Sequence, residues 1–288
     1  MLIRAYAKIN WALDITGKRR DGYHLLHMVM QRISLYDEIE ISKTDGNTVE
    51  LEVNGNDALA AEKDNIILKA VELLSGGQMR SGLHIRLKKN IPTGAGLGGG
   101  SADAAAVLWA LNRLWNMNFS SDQLSGMALF LGADVPYCLT GLPAEVKGIG
   151  EELSPFICRK TYPLVLLKPS MGLSTARVYG AYDSLGSKKN MVISNTVNAL
   201  VNGEDELLKA SIANQLEEPA RMLLPDISEC KAALLETGAF CSMMTGSGSA
   251  VFGVFHSDDE ADRAAEKLKK HFPVCLRANT LQQEVLYS

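Results

Sequence analysis

The chain has 288 residues, 47% hydrophobic and 22% charged, enough to bury one large core or two ordinary ones without staples. A net charge of −4, with acidic and basic residues intermixed, argues against bulk nucleic-acid binding, which needs a basic surface. Five cysteines without a Cys-x-x-Cys pair suggest neither a disulfide framework nor a zinc site, and no apolar run approaches the roughly 18 residues of a membrane span, so a cytoplasmic protein without membrane association is expected.

Residues 3–13 read as a strand in partial alternation, and residues 17–22 as a polar turn. Residues 31–42 read as a further strand pair around Tyr36-Asp37, and Asp45-Gly46-Asn47 as a hairpin turn. Residues 49–53 alternate cleanly, as a half-buried strand does. Asp64 or Asn65 caps a helix through about Leu74, with Ile67, Ala70, Val71 and Leu74 on one face and Gly76-Gly77 ending it. Residues 83–88 are a strand with one wet face, then comes a glycine-rich loop, then an Ala-rich helix over 101–115. Another helix begins at Ser121 and stops at Gly132, with Pro136 just beyond.

The pattern changes near residue 157. Residues 162–168 form a buried type of strand, followed by short helices up to Thr237. Residues 239–244 and 250–255 are two strands joined by a tight Thr245-Gly-Ser-Gly-Ser249 loop, and an amphipathic helix over 258–271 leads to a last strand over 273–278. This is an α+β pattern ending in a ferredoxin-like half, and it places a boundary between 1–157 and 158–288.

Gly94, Gly96, Gly98, Gly99 and Gly100 fall within seven residues. Glycine lets backbone N–H groups turn inward and approach an anion closely, and the N-terminus of the next helix favours phosphate. A plain strand-to-helix turn rarely needs so many glycines, so the loop reads as an anion cradle, with Ser101 placed to reach a phosphate oxygen or a magnesium ion. Gly94-x-Gly96-x-x-Gly99 satisfies the dinucleotide fingerprint on paper. Its context is wrong, because the strand before it alternates and no acid-tipped strand follows about twenty residues on. Gly100 stands where a Walker A lysine would, and no His-Arg-Asp or Asp-Phe-Gly triplet occurs.

Pro92-Thr93-Gly94-Ala95-Gly96-Leu97-Gly98-Gly99-Gly100-Ser101-Ala102 resembles the phosphate loop of the GHMP kinase superfamily, which includes galactokinase, homoserine kinase and mevalonate kinase. Three further segments narrow the resemblance. Ala7-Lys8-Ile9-Asn10, followed by Gly17 through Gly22-Tyr23-His24, is similar to the N-terminal signature of the branch that phosphorylates 4-diphosphocytidyl-2-C-methyl-D-erythritol. Leu131-Gly-Ala-Asp134-Val-Pro136 resembles that branch's catalytic loop, and Thr245 through Gly253 the superfamily's C-terminal glycine motif. The segments span nearly the whole chain in the expected order.

The resemblance implies a two-domain fold: an N-terminal ribosomal-protein-S5-like β/α domain over 1–157 that binds ATP and carries the chemistry, and a C-terminal ferredoxin-like domain over 158–288. It implies transfer of a phosphoryl group from ATP, with Mg2+ and no organic prosthetic group, to the 2-hydroxyl of a cytidine diphosphate-linked polyol in the non-mevalonate route to isoprenoid precursors. A monomer or weak homodimer is expected. One departure is visible: many members carry a second serine where this chain has Ala102, which leaves Ser101 the only hydroxyl there.

From the residues alone, Asp134 is a turn or capping aspartate and Lys8 an outward-facing strand lysine. The resemblance makes Asp134 the general base and puts Lys8 beside it, orienting it and steadying charge on the reacting oxygen. Asn10 shares Lys8's strand face at spacing two, so both can enter one pocket. Tyr23 and His24 read locally as a half-buried aromatic pair; the resemblance assigns them to the cytosine ring, by stacking and by hydrogen bonding. His27 suggests a metal pair with His24, but no third ligand is visible. Asn65 either caps its helix or reads the adenine edge, and Thr175 either caps a helix or contacts substrate. The alternatives are another GHMP kinase, against which Gly22-Tyr23-His24 speaks, and a non-catalytic sensor, against which the joint presence of Lys8 and Asp134 speaks.

Overall fold

The computed structural model describes residues 1–54, 65–186 and 191–282. Its first sheet is built on a long antiparallel pair, β1 (Leu2–Lys18) and β2 (His24–Thr44), joined by a turn through Gly22. The other edge of β2 is shared. Residues 38–44 pair with β4 (Gly82–Lys88), and residues 26–30 with β5 (Ala144–Gly148), which pairs in turn with β6 (Glu152–Pro155). β3 (Val49–Val53) lies parallel to β4 on its far side.

Two expectations are corrected here. Residues 31–42 are one uninterrupted stretch of β2, not a strand pair, because Tyr36 and Asp37 stay in the ladder opposite Tyr6 and Ala5. The Asp45-Gly46-Asn47 turn exists, with Gly46 at φ +91°, but it closes no hairpin. The chain leaves β3, crosses through helix α1 (Ile66–Ser75) and returns as β4 between β2 and β3, the crossover that a parallel pair requires.

Helix α2 (Gly99–Leu114) lies on β1 and β2 and packs against α1 and the short α4 (Val135–Thr140). Small side chains permit this approach: Ala102, Ala104, Ala105, Ala106 and Ala110 are all buried. Between them α3 (Ser121–Ala128) starts in a capping box from Ser120 and Gln123 and ends at Ala128, short of the expected Gly132.

The second sheet is antiparallel, in the order β11 (Val274–Asn279), β7 (Pro163–Lys168), β10 (Val251–Val254), β9 (Cys241–Met244). The expected β9–β10 hairpin is present, with Val251 opposite Met244. Helices α5 (Thr175–Ser184), α6 (Ile193–Asn202), α7 (Asp205–Ser211), α8 (Glu217–Leu223) and α9 (Asp226–Glu236) fill the connection, and α10 (Asp258–Leu268) covers β7 and β11. Within that connection β8 (Ala213–Asn214) returns to the first sheet and pairs with Ala12 and Leu13 of β1.

Strand β1 changes faces along its length. Ile3, Ala5, Leu13 and Ile15 join the core under α1 and α2, whereas Ala7, Ile9 and Trp11 join the core shared with β7 and β10. The register shifts between Tyr6 and Lys8, and again between Asn10 and Ala12. A bulge re-aims the side chains that follow it. Between these two shifts the apolar side chains point to the second sheet, where Trp11 meets Phe252 edge-on at 5.5 Å and Tyr162 at 5.6 Å. The alternate residues, Lys8 and Asn10, turn toward the start of α2. An outward lysine is thereby converted into one only 3% exposed.

Candidate active site in the cleft between the sheets

The glycine loop runs from the end of β4 to α2 and is held at both ends. Asp37 of β2 accepts from the backbone N–H groups of Asn90 and Ile91 at 2.6 and 2.8 Å, and from Lys89 Nζ. Lys89 Nζ also donates to Asp103, the fifth residue of α2, at 2.8 Å. Two buried carboxyl groups thus share one ammonium beneath the loop. Burial first, and then the second carboxylate, outweigh Lys89's attraction and push Asp103 up to about 8.

Gly94, Gly96 and Gly98 all take left-handed backbone angles, +63°, +73° and +70°. At Gly96 and Gly98 the neighbours also leave no room. A Cβ at Gly96 would lie 2.2 Å from the Thr245 carbonyl oxygen, and one at Gly98 would lie 3.0 Å from the Lys8 stem. The second glycine loop lies directly on the first: Ser249 N donates to Gly94 O at 3.3 Å, and Ala250 N to Ala95 O at 3.1 Å. Lys8 N donates to Leu97 O at 2.9 Å, and Asn10 N to Thr245 Oγ1 at 3.0 Å, so β1 ties both loops together.

These parts enclose a cleft of about 1160 Å³. Pro92, Thr93, Gly94, Ala95, Gly96, Leu97, Gly98, Gly99, Gly100 and Ser101 line it. Ala102 is buried against the core instead, since it lies on the sheet-facing side of α2. The helix begins at Gly99, two residues earlier than expected, so Ser101 sits in its first turn, where free N–H groups and the dipole favour an anion. Asn65 lines the same cleft and caps α1, its side chain accepting from Ile67 N at 2.9 Å. Asp64, the other candidate cap, lies outside the described residues.

Lys8 Nζ stands 3.1 Å from Asp134 Oδ2 and donates to Asn10 Oδ1 at 2.7 Å. Asp134 occupies the N-cap position of α4 yet makes no capping bond with its side chain; the carboxylate turns to Lys8 and keeps 30% exposure to the cleft. The arrangement offers a proton acceptor beside a fixed cation, next to a cradle of N–H donors, which suits attack by a hydroxyl group on a phosphoryl group.

At the other end of the cleft His24 Nε2 meets Asp183 Oδ1 at 2.7 Å, and Lys18 Nζ meets Asp183 Oδ2 at 2.6 Å. Hydrogen bonds from Lys18 and then His24 hold the Asp183 carboxyl below its ordinary range. The His24 ring stacks on Tyr179 at 4.7 Å. Tyr23 is 62% exposed at the rim, and burial pushes the Tyr179 phenol up. Thr175 is the first residue of α5, Ser174 holding the cap position, and its hydroxyl meets Ser247 of the second glycine loop at 2.9 Å. His27 turns away from His24 to Glu145, at 2.6 Å. Among the described residues no cluster of three or more His, Cys, Asp or Glu stands where it could hold a metal ion, and no helix is long and apolar enough to cross a membrane.

Lys89, Asp37, Asp103, Tyr179 and Asp183 were not singled out by the sequence patterns. Thr175, Tyr179 and Asp183 recur every four residues, and that stripe along α5 was the available signal for the last two.

The phosphate loop over a helix N-terminus, crossed by a second glycine loop and flanked by a buried lysine and a carboxylate, defines a phosphotransferase of the GHMP class. Residues 65–142 match the GHMP kinases N terminal domain and residues 197–274 the GHMP kinases C terminal domain, so this is an ATP-using, two-domain α+β kinase. The chain is 42% identical over 267 residues to the 4-diphosphocytidyl-2-C-methyl-D-erythritol kinase of Pelotomaculum thermopropionicum, covering 92% of this chain and 93% of that one. It is 41% identical to the same-named protein of Desulfitobacterium hafniense, covering 91% and 89%. A crystal structure of 4-(cytidine 5'-diphospho)-2C-methyl-D-erythritol kinase superposes with a TM-score of 0.82 at 33% identity, covering 98% of this chain and all of that one. A homoserine kinase from Cytophaga hutchinsonii, at 0.77 and 18% identity with 100% and 96% coverage, shares the fold. The chain belongs to the 4-diphosphocytidyl-2-C-methyl-D-erythritol kinase family.

Proposed function

We propose that the cleft transfers the γ-phosphoryl group of ATP to the 2-hydroxyl of 4-diphosphocytidyl-2-C-methyl-D-erythritol, in the non-mevalonate route to isoprenoid precursors. The buried Lys8–Asp134 pair beside the glycine loop carries this reading. A new bond forms between the acceptor oxygen and the γ-phosphorus, the bond to the β-phosphate bridge breaks, ADP departs, and Asp134 takes the hydroxyl proton. Lys8 orients Asp134 and offsets charge on the reacting oxygen, while Asn10 fixes Lys8 and faces the acceptor. Backbone N–H groups of residues 94–101 hold the phosphates, and Asn65 faces the adenine.

Tyr23 and His24, with Tyr179 behind, form the cytosine pocket, and Thr175 contacts the linking chain. The hydroxyl of Ser101 is a hard oxygen donor in the cleft and would hold Mg2+ together with phosphate oxygens and water; the ion supplies charge neutralisation on the phosphates. The same reading takes 1–157 and 158–288 as the two domains. It includes a cytoplasmic monomer or weak homodimer, in keeping with five free thiols, four of them buried.

An ADP-release assay with ATP, Mg2+ and the cytidine-linked substrate tests the proposal. Turnover is expected. Absence of turnover there, with turnover of homoserine or mevalonate, contradicts it.

A further inference from the structure

His24 is the only imidazole at the base end of the cleft among the described residues, and its two nitrogens are in different situations. Nε2 is fixed on Asp183 Oδ1 at 2.7 Å. A carboxylate can only accept, so Nε2 carries the proton. Lys18, at 2.6 Å from the other carboxylate oxygen, already balances the charge of Asp183, so a neutral imidazole suffices to complete the cluster. Tyr179 stacks at 4.7 Å and 26° and fixes the plane of the ring, and Tyr182 meets it edge-on at 6.1 Å. No described residue hydrogen-bonds Nδ1, and His24 lines the cleft. With the proton on Nε2, Nδ1 is a bare lone pair: an acceptor whose direction is set from behind.

We propose that Asp183 is a specificity-positioning residue that, by holding the proton on Nε2 of His24, presents an acceptor at Nδ1 and so selects a pyrimidine bearing an amino donor over one bearing a carbonyl. Cytosine offers a 4-amino group at that edge. Uracil offers an oxygen, which would leave two acceptors facing each other. The inference rests on His24 facing the base, as proposed above. A buried polar group left facing the wrong partner costs about 1–3 kcal/mol, which is on the order of ten- to a hundredfold in selectivity.

Two measurements test this. The first needs no ligand: 15N spectra of the imidazoles in the free protein, with the His24 signals assigned by their loss in His24→Gln. A proton on Nε2 and a bare Nδ1 are expected in the unaltered chain, with mixed tautomers in Asp183→Ala. A proton on Nδ1 in the unaltered chain, or an unchanged tautomer in Asp183→Ala, overturns the inference. The second compares kcat/KM for the cytidine-linked substrate and its uridine-linked analogue. Asp183→Ala is expected to lower the preference for cytidine about tenfold or more while KM for ATP stays put, and Asp183→Asn, whose amide oxygen can still accept, to lie between. Turnover with an unaltered preference overturns this inference alone; absent turnover of the cytidine-linked substrate by the unaltered chain overturns the underlying reading with it.

Discussion

Two lysines flank the glycine loop, Lys8 buried and Lys89 partly buried, and they are used differently. Lys8 faces one carboxylate, Asp134, which keeps a third of its surface open to the cleft. Lys89 faces two, Asp37 and Asp103, both closed off from water. The first arrangement leaves a carboxylate able to exchange a proton with a bound hydroxyl. The second ties the loop at both ends: Asp37 also accepts two backbone N–H groups at its entry, and Asp103 rides on the helix at its exit. Lys8 is placed for chemistry and Lys89 for holding the loop in shape.

The sharpest way to break this division is at Asp134. Asp134→Asn is expected to lower kcat by on the order of 10²–10⁴ while nucleotide affinity survives, checked by steady-state turnover and titration with a non-hydrolysable ATP analogue. Near-normal turnover removes Asp134 from the proton-accepting role. On the other side, Lys89→Met leaves the buried Asp37–Asp103 pair without its cation and is expected to cost about 3–5 kcal/mol in urea unfolding. A midpoint unchanged from the parent would show that Lys89 holds nothing.

Smaller effects sharpen the same contrast. Gly96→Ala forces a left-handed angle and a clash with Thr245 O where the two glycine loops touch; a loss of about 1–3 kcal/mol is expected, with weakened ATP binding. A last effect is in pH. Asp103 holds its proton in the folded chain up to about 8, well above the value of an ordinary carboxylate. The folded state therefore binds this proton more tightly than the unfolded one. The stability it contributes is full below the ordinary carboxylate range and lost as pH rises through about 8. Asp103→Asn should flatten that decline in urea titrations across pH. An identical slope in both proteins would place the titration elsewhere.

Much of this molecule was legible in its residues. Alternation in 49–53 and 83–88, the Gly76-Gly77 stop and the 239–255 hairpin all reappear as β3, β4, the end of α1 and β9–β10. These are local signals, set by side-chain period and turn chemistry. What local pattern could not give is how the strands are paired. The Asp45-Gly46-Asn47 turn looks like a hairpin until β4 arrives between its arms from 38 residues further on, where Lys88 pairs with Glu38 and Gly82 with Thr44. Lys8 looks outward until two register shifts in β1 turn it in. The Asp37–Lys89 contact spans 52 residues, and no short motif announces it. The glycine loop is visible because its chemistry is concentrated in ten consecutive residues, while its supports are scattered and have to be found in space.

The division of labour between the lysines is tested most directly in Lys8→Met, by measuring turnover and the urea midpoint in the same preparation. The charge of Lys8 faces a carboxylate that water can reach, so its loss strands no buried ion. The predicted result is a fall in kcat on the order of 10²–10³ with a midpoint close to the parent's. Normal turnover, or a loss of turnover matched by a collapse of the midpoint, would contradict the account.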